Sequence, residues 1–301
     1  MTMESPTPKQ QLIGSCFAMV TMTIWAGWNV VSRLGVTHAL TAYDITFLRF
    51  ATAGLIALPI AWTYRRALLA APLGLMLVMI GGAGALYVLV ASQGFSYAPA
   101  SHGVMIPGTM PLWVALLSWL LFKEQFSRIR LVGYTIIAVS VFFRIVQHWS
   151  ASADYLHADM FFISSGILWA CYTVANRKAA LPPLAAMAIV SLGSALLYCI
   201  PYAATHTAEI ANYPLGQSVI QMVYQGVLTS LVGLLFYNRA IVLIGASRAS
   251  SFAASIPLLA TLMGIPLLGE IPVAADWVFI IMLSIGVLCA SGIRRIAWKK
   301  A

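Results

Sequence analysis

Ten apolar stretches follow one another along the chain, at residues 11–32, 41–62, 72–94, 101–122, 129–145, 159–177, 183–204, 218–240, 247–268 and 274–293. Each has about 17 to 25 residues, the length an α-helix needs to cross the hydrocarbon core of a bilayer. No water reaches that core, so every backbone amide must find a partner inside its own helix or inside a closed barrel. Barrel strands would alternate apolar and polar residues over about ten positions, whereas "LLSWLLF" and "FIIMLSIGVL" are apolar on all sides. The expected fold is therefore all-α, an integral membrane protein of ten transmembrane helices. Charged residues make up 8% of the chain, against about 25% in soluble domains. The first stretch is not a cleaved secretory signal, because nine more of the same kind follow it rather than a soluble domain.

Orientation follows from the basic residues. With the N-terminus in the cytoplasm, 14 of the 17 Lys and Arg fall at the inner side, including Arg65, Lys123, Arg177, Arg294, Arg295, Lys299 and Lys300. The exceptions are Arg33 and Arg144, which fall outside, and Arg49, which lies within the second stretch. Asp44, Asp154, Asp159, Glu209, Glu270 and Asp276 fall at or beyond the outer boundary, leaving Glu4 and Glu124 inside. Both termini are expected in the cytoplasm. The net charge of +9 is spread over short inner loops rather than gathered on one face, so it reads as a topology signal and not as a nucleic-acid surface.

The chain also says the same thing twice. Trp25, Ala26, Val30 and Arg33 recur 144 residues later as Trp169, Ala170, Val174 and Arg177. At a shift of 146, Ala100, Ser101, Pro111, Leu112 and Glu124 meet Ala246, Ser247, Pro257, Leu258 and Glu270. Each half, 11–145 and 159–293, holds five stretches, with 146–158 as an outer linking loop. Five is odd, so the second half enters the membrane from the opposite side. Inverted repeats of this kind support alternating access around a site near the midplane.

These motifs, W-A-x-x-x-V-x-x-R at Trp25 and Trp169, "FLRF" at Phe47 to Phe50, and A-S…P-L…E from Ala100 to Glu124 and from Ala246 to Glu270, resemble those of the EamA-type exporters of the drug/metabolite transporter superfamily. The resemblance covers the whole chain, although each motif is short. It implies export of small polar or amphipathic metabolites from a bacterial inner membrane, amino acids foremost and aromatic ones among them.

The matched motifs place helices 1, 3, 4, 6, 8 and 9 around the pathway and leave helices 5 and 10 at the periphery. Trp25, Trp28 and Asn29 share one face of helix 1, as Trp169, Tyr172 and Thr173 do of helix 6. Aromatic faces with a hydrogen-bonding group suit an amphipathic solute, and interfacial anchoring is the alternative for the tryptophans. Tyr87, Tyr224, Tyr237, Asn238 and Trp113 are further candidates for the lining, with helix–helix hydrogen bonding as the alternative. His102 is a candidate too, although a lone His there also suits a helix-end donor. Pro111 and Pro257 free the carbonyls of Pro107 and Ala253, which suits either matched gates or curved packing. Arg49 is expected to lock helix 2 to the outer end of a neighbour, with substrate contact the alternative.

Cys16, Cys171, Cys199 and Cys289 all fall in apolar stretches without ligand spacing, so no metal, disulfide or cofactor is expected. "GGAG" at Gly81 to Gly84 lacks the context of a phosphate loop and suits close helix approach. No Asp or Glu falls in the middle of a stretch, which favours facilitated diffusion over a proton-coupled antiporter. A channel or an intramembrane enzyme fits less well: an internal inverted repeat suits a carrier, and no cluster of acids, histidines or activated serine appears. A monomer acting on a small-molecule substrate in the lipid bilayer is the resulting expectation.

Overall fold

The computed structural model describes residues 7–38, 40–206 and 211–292. Glu4, Glu209, Arg294, Arg295, Lys299, Lys300 and the side chains of Ala246 and Ser247 lie outside the described residues. Among the described residues, the fold consists of ten long helical segments: α1 (Pro8–His38), α2 (Ala42–Ala70), α3 (Leu73–Tyr97), α4 (His102–Phe122), α5 (Arg128–Ala151), α6 (Ala153–Ala179), α7 (Pro183–Thr205), α8 (Leu215–Ile244), α9 (Arg248–Leu268) and α10 (Ala274–Ala290). Among the described residues, α1 to α9 are each long and apolar enough to span a bilayer, and α10 is shorter at 17 residues. The stretch 146–158, expected as a loop, is helical except at Ser152, because α5 continues to Ala151 and α6 starts at Ala153.

Local chemistry sets the ends. Thr41 and Asp44 form a reciprocal capping box that opens α2, with Thr41 N–H donating to Asp44 Oδ2 at 2.7 Å and Asp44 N–H to Thr41 Oγ1 at 3.2 Å. α4 and α9 each end on a left-handed residue, Lys123 (φ 55°) and Gly269 (φ 68°). These positions are 146 residues apart, and each turn delivers the glutamate that follows, Glu124 or Glu270. Glycine adopts that backbone without a Cβ penalty, whereas Lys123 adopts it at some cost.

The largest contacts between helices repeat when the two halves are exchanged. α1 packs on α8 and α9, and its counterpart α6 packs on α3 and α4; α2 packs on α7, and α5 on α10. Small residues permit these approaches in a bilayer, where close van der Waals fit replaces the hydrophobic drive. A Cβ on Gly82 of α3 would come within 2.5 Å of the Leu168 carbonyl of α6. One on Gly133 of α5 would meet the α10 backbone, 2.7 Å from the Gly286 carbonyl.

Two pairs of irregularities adjoin the centre. α3 breaks at Gly84, where Ser194 Oγ of α7 accepts the Ala85 N–H at 3.0 Å. Its counterpart α8 is wound as a π-helix from Met222 to Val232; Gly84 and Ser230 are 146 residues apart. Pro111 sits inside a continuous α-helix, whereas Pro257 follows a 3-10 segment at Phe252–Ser255. Pro111 therefore removes a donor from a helix interior, whereas Pro257 occupies the first turn of its α-helical segment, where the missing N–H is tolerated.

Candidate functional site

A cavity of about 290 Å³ lies between the halves. α1 contributes Trp25, Trp28 and Asn29; α2 contributes Arg49 and Phe50; α3 contributes Ala83 and Tyr87; α4 contributes Ile106, Pro107, Met110 and Pro111. From the other half come Trp169 and Tyr172 of α6, Met187, Val190 and Ser191 of α7, Thr229, Ser230 and Leu234 of α8, and Ala253 and Ile256 of α9. Helices α2 and α7, not expected around the pathway, line it as well, because they pack against each other across the centre. α10 reaches it through Val287, so it is not wholly peripheral.

The lining is an aromatic belt that joins the two halves. Trp28 stacks on Tyr87 at 5.9 Å, Tyr87 meets Trp169 at 5.2 Å, and Trp169 meets Tyr172 at 5.3 Å. Such ring contacts fix side-chain orientation beyond what burial alone does. Trp28 is held from behind by a buried polar ladder: its Nε1–H donates to Gln225 Oε1 at 3.1 Å. Gln225 Nε2 reaches Gln221 Oε1 at 2.5 Å and Ser32 Oγ at 3.4 Å, and Gln221 Nε2 donates to the Val31 carbonyl at 2.8 Å. Sequence reasoning missed Gln221 and Gln225, although two glutamines four residues apart in an apolar helix are a visible signal.

Several expected residues lie outside the lining. Tyr224 crosses to α1 and donates to the Ile24 carbonyl at 3.2 Å, occupying the space beside Gly27, where a Cβ would collide with its hydroxyl. Gly27→Ala should therefore lower stability by about 1–3 kcal/mol through overpacking, and Tyr224→Phe should recover most of the loss. Thermal unfolding of the purified protein in detergent checks both; an unchanged midpoint in Gly27→Ala would remove the crossing as a constraint. Tyr237 packs on Trp25 at 5.2 Å without reaching the cavity, Trp113 lies beside Gly166 of α6, and Asn238 and Pro257 are likewise outside the lining.

His102 is also elsewhere. It is buried, stacked on His148 at 5.0 Å, and accepts from Arg144 Nη2 at 2.9 Å. Arg144 pairs with Asp276 at 2.5 Å and His148 Nδ1 with Asp159 Oδ2 at 2.5 Å. His102, His148 and Asp159 place one donor atom each within 4.8 Å of one another, from three different helices, so no sequence spacing announces the group. The Arg144 guanidinium beside His102 opposes a dication there, and the arrangement reads as a buried charge network.

Arg49 does not lock an outer helix end. It is buried at 7% exposure, within 6.0 Å of the Trp28 ring centroid and 5.6 Å of that of Phe50, and its Nε and Nη1 have no hydrogen-bond partner. Asp44, on the same helix, is committed instead to Thr41 and to the hydroxyls of Tyr202 and Tyr213 at 2.6 and 2.5 Å.

Ion pairs close both ends of α4, whose 21 residues span about 30 Å. At the first, Arg33 Nε lies 2.8 Å from Glu270 Oε1, Arg33 Nη1 donates to the Phe95 carbonyl at 2.5 Å, and the Ala100 N–H donates to Glu270 Oε2 at 2.7 Å. At the second, Arg177 Nη1 lies 2.6 Å from Glu124 Oε2, with Arg130 at 3.5 Å from Oε1. The repeated residues are thus exchanged: the Arg of each half pairs with the Glu of the other. The hydrogen bond from Arg177 holds the Glu124 carboxyl below the ordinary carboxylate range. A lowered native pKa means that this contact supports the fold at neutral pH and is lost as pH falls through that value. Glu124→Gln should accordingly flatten the acid limb of the stability profile, measured by unfolding across pH; an unchanged limb would show that Glu124 does not set it.

The same duplication appears in comparisons with known proteins. Curated relatives include the "Uncharacterized transporter YyaM" of Bacillus subtilis (strain 168), 25% identical over 209 residues, covering 67% of this chain and 68% of that protein. An "Uncharacterized transporter" of Archaeoglobus fulgidus is 25% identical over 266 residues, covering 84% and 88%. A solved structure described only as "Crystal structure of protein" superposes with a TM-score of 0.59 over 94% of this chain and 97% of that one, at 19% identity, which speaks to fold alone. The model of the EamA-like transporter family matches twice, over residues 12–146 and 156–292, once for each half that the exchanged ion pairs tie together. With both matches spanning nearly the whole chain, this membrane transporter belongs to the EamA-like transporter family.

Proposed function

We propose that the chain exports small metabolites, amino acids and aromatic ones among them, across the bacterial inner membrane by alternating access. The two halves, 11–145 and 159–293, rock about the aromatic cavity, with the Arg33–Glu270 and Arg177–Glu124 pairs as the latches of its two ends. The observation that carries this reading is the exchange of those pairs between halves, since a motion that releases one latch can leave the other engaged. The basic residues at Arg65, Arg66, Lys123, Arg128 and Lys178 support cytoplasmic termini. A substrate gradient alone drives the cycle in this reading, because no carboxylate lines the cavity among the described residues.

A second reading, proton-coupled antiport, draws on the buried Asp159–His148 and Asp276–Arg144 pairs, which are of the kind that marks proton pathways in membranes. Counterflow of labelled amino acids in proteoliposomes distinguishes the two. Saturable, trans-stimulated uptake that ignores an imposed pH gradient supports facilitated exchange, and uptake driven by that gradient supports antiport. Flux that rises linearly without saturation would sink both carrier readings, and altered product would indicate an enzyme.

A further inference from the structure

We propose that Arg49 and Asn29 form the subsite for a single carboxylate, so that the cavity selects arylaliphatic carboxylic acids whether or not they carry an amino group. The proposal rests on the carrier reading above for its substrate class, and takes from the structure what that reading leaves open, namely which functional group is recognised.

Arg49 carries two N–H-bearing nitrogens, Nε and Nη1, with no partner, and Asn29 Nδ2 also has none. Both residues line the cavity, and they are 7% and 1% exposed. Buried donors without acceptors cost free energy unless something fills them, and a guanidinium in a membrane interior needs an anion or carbonyl oxygens. No Asp or Glu lines the cavity among the described residues, and Asp44 is already saturated by Thr41, Tyr202 and Tyr213. The missing acceptor is thus supplied from outside the chain. Arg49 is also the only cation among the lining residues, which balances one negative charge and leaves the second charge of a phosphate monoester dianion unmatched. A planar carboxylate matches the guanidinium fork in both shape and charge.

The remainder of the cavity is written for an apolar body. Trp25, Trp28, Tyr87, Trp169 and Tyr172 supply ring faces, and nothing anionic awaits an ammonium group. An α-amino group would find π faces and neutral acceptors such as Ser191 Oγ and the Asn29 amide oxygen, with no carboxylate to pair its charge, so it adds little to recognition.

The test measures binding to the full-length protein in detergent by quenching of tryptophan emission, with counterflow in proteoliposomes run in parallel. The probes are phenylalanine, 3-phenylpropionate, phenylalaninamide, phenethylamine and phenyl phosphate. Phenylalanine and 3-phenylpropionate should bind comparably, and the amide, the amine and phenyl phosphate should each bind about tenfold more weakly or worse. Arg49→Gln should erase the preference for the acid, and Arg49→Lys should keep part of it. Amide or amine binding as well as the acid overturns the proposal, as does phenyl phosphate binding more tightly, 3-phenylpropionate failing where phenylalanine binds, or none of the five binding. The comparison within the unmodified protein decides the matter even if Arg49→Gln does not fold. Acid-selective binding without counterflow would leave the subsite standing and remove the carrier reading instead.

Discussion

Arg144→Met should cost the folded protein about 3–5 kcal/mol, the loss typical of breaking a buried ion pair from one side. Arg144 is 3% exposed; its Nη2 serves both Asp276 and His102, and its guanidinium lies 5.3 Å from the ring centroid of Phe279. Methionine preserves most of the packing volume but strands the Asp276 carboxylate, which also caps α10 by accepting the Val273 N–H at 3.0 Å. Pairing the change with Asp276→Asn removes the stranded charge while keeping an acceptor for that cap. The double variant should therefore recover most of the loss. Chemical unfolding of the two single variants and the double in detergent gives the coupling energy directly. If the two single losses simply add, the charges are not coupled, and the network is no more than a set of neighbours.

Most of the architecture is legible in the sequence because a bilayer removes alternatives: an apolar run of the right length has to become a helix. The repeat is legible because Arg33, Arg177, Glu124 and Glu270 recur at fixed offsets. What the repeat does not disclose is that each Arg pairs with the Glu of the opposite half, because that depends on how the halves interlock. The face of α1 was readable, since Trp25, Trp28 and Asn29 at helical spacing all reach the cavity. The corresponding reading of α8 fails for Tyr224, Tyr237 and Asn238. There the π-wound segment places an extra residue in each hydrogen-bonded turn, turning Thr229 and Ser230 toward the cavity instead. Nothing in composition distinguishes such winding from an ordinary α-helix. Arg49 stood out as a charge in an apolar stretch, but its lack of a partner emerges only once Asp44 is seen to be engaged by Tyr202 and Tyr213.

Glu270→Gln and Glu124→Gln should behave very differently although they alter matched positions. Glu270 and Arg33 have side chains 20% and 18% exposed, and the carboxylate also holds the Ala100 amide. Losing its charge leaves Arg33 with the Phe95 carbonyl, which should weaken closure of that end by about 2 kcal/mol, on the order of 30-fold in the ratio of closed to open forms. At the other end Arg177 is 57% exposed, so water already competes for the pair, and its loss should shift the ratio by less than about fivefold. Single-cysteine Asn29→Cys protein, with the four native cysteines replaced by alanine, reports the difference. A membrane-impermeant thiol reagent applied from the Arg33 face should label the cavity many times faster after Glu270→Gln, while Glu124→Gln should leave labelling from the Glu124 face nearly unchanged. No acceleration at either face would mean that the pairs do not act as latches, and equal acceleration at both would mean that exposure does not set their strength. Unequal latches would make the carrier rest with the Arg33 end closed and the Glu124 end the easier to open. A solute bound between them can then redirect the cycle only by interacting more favourably with the form that opens the stronger latch, because equal binding to both forms shifts nothing.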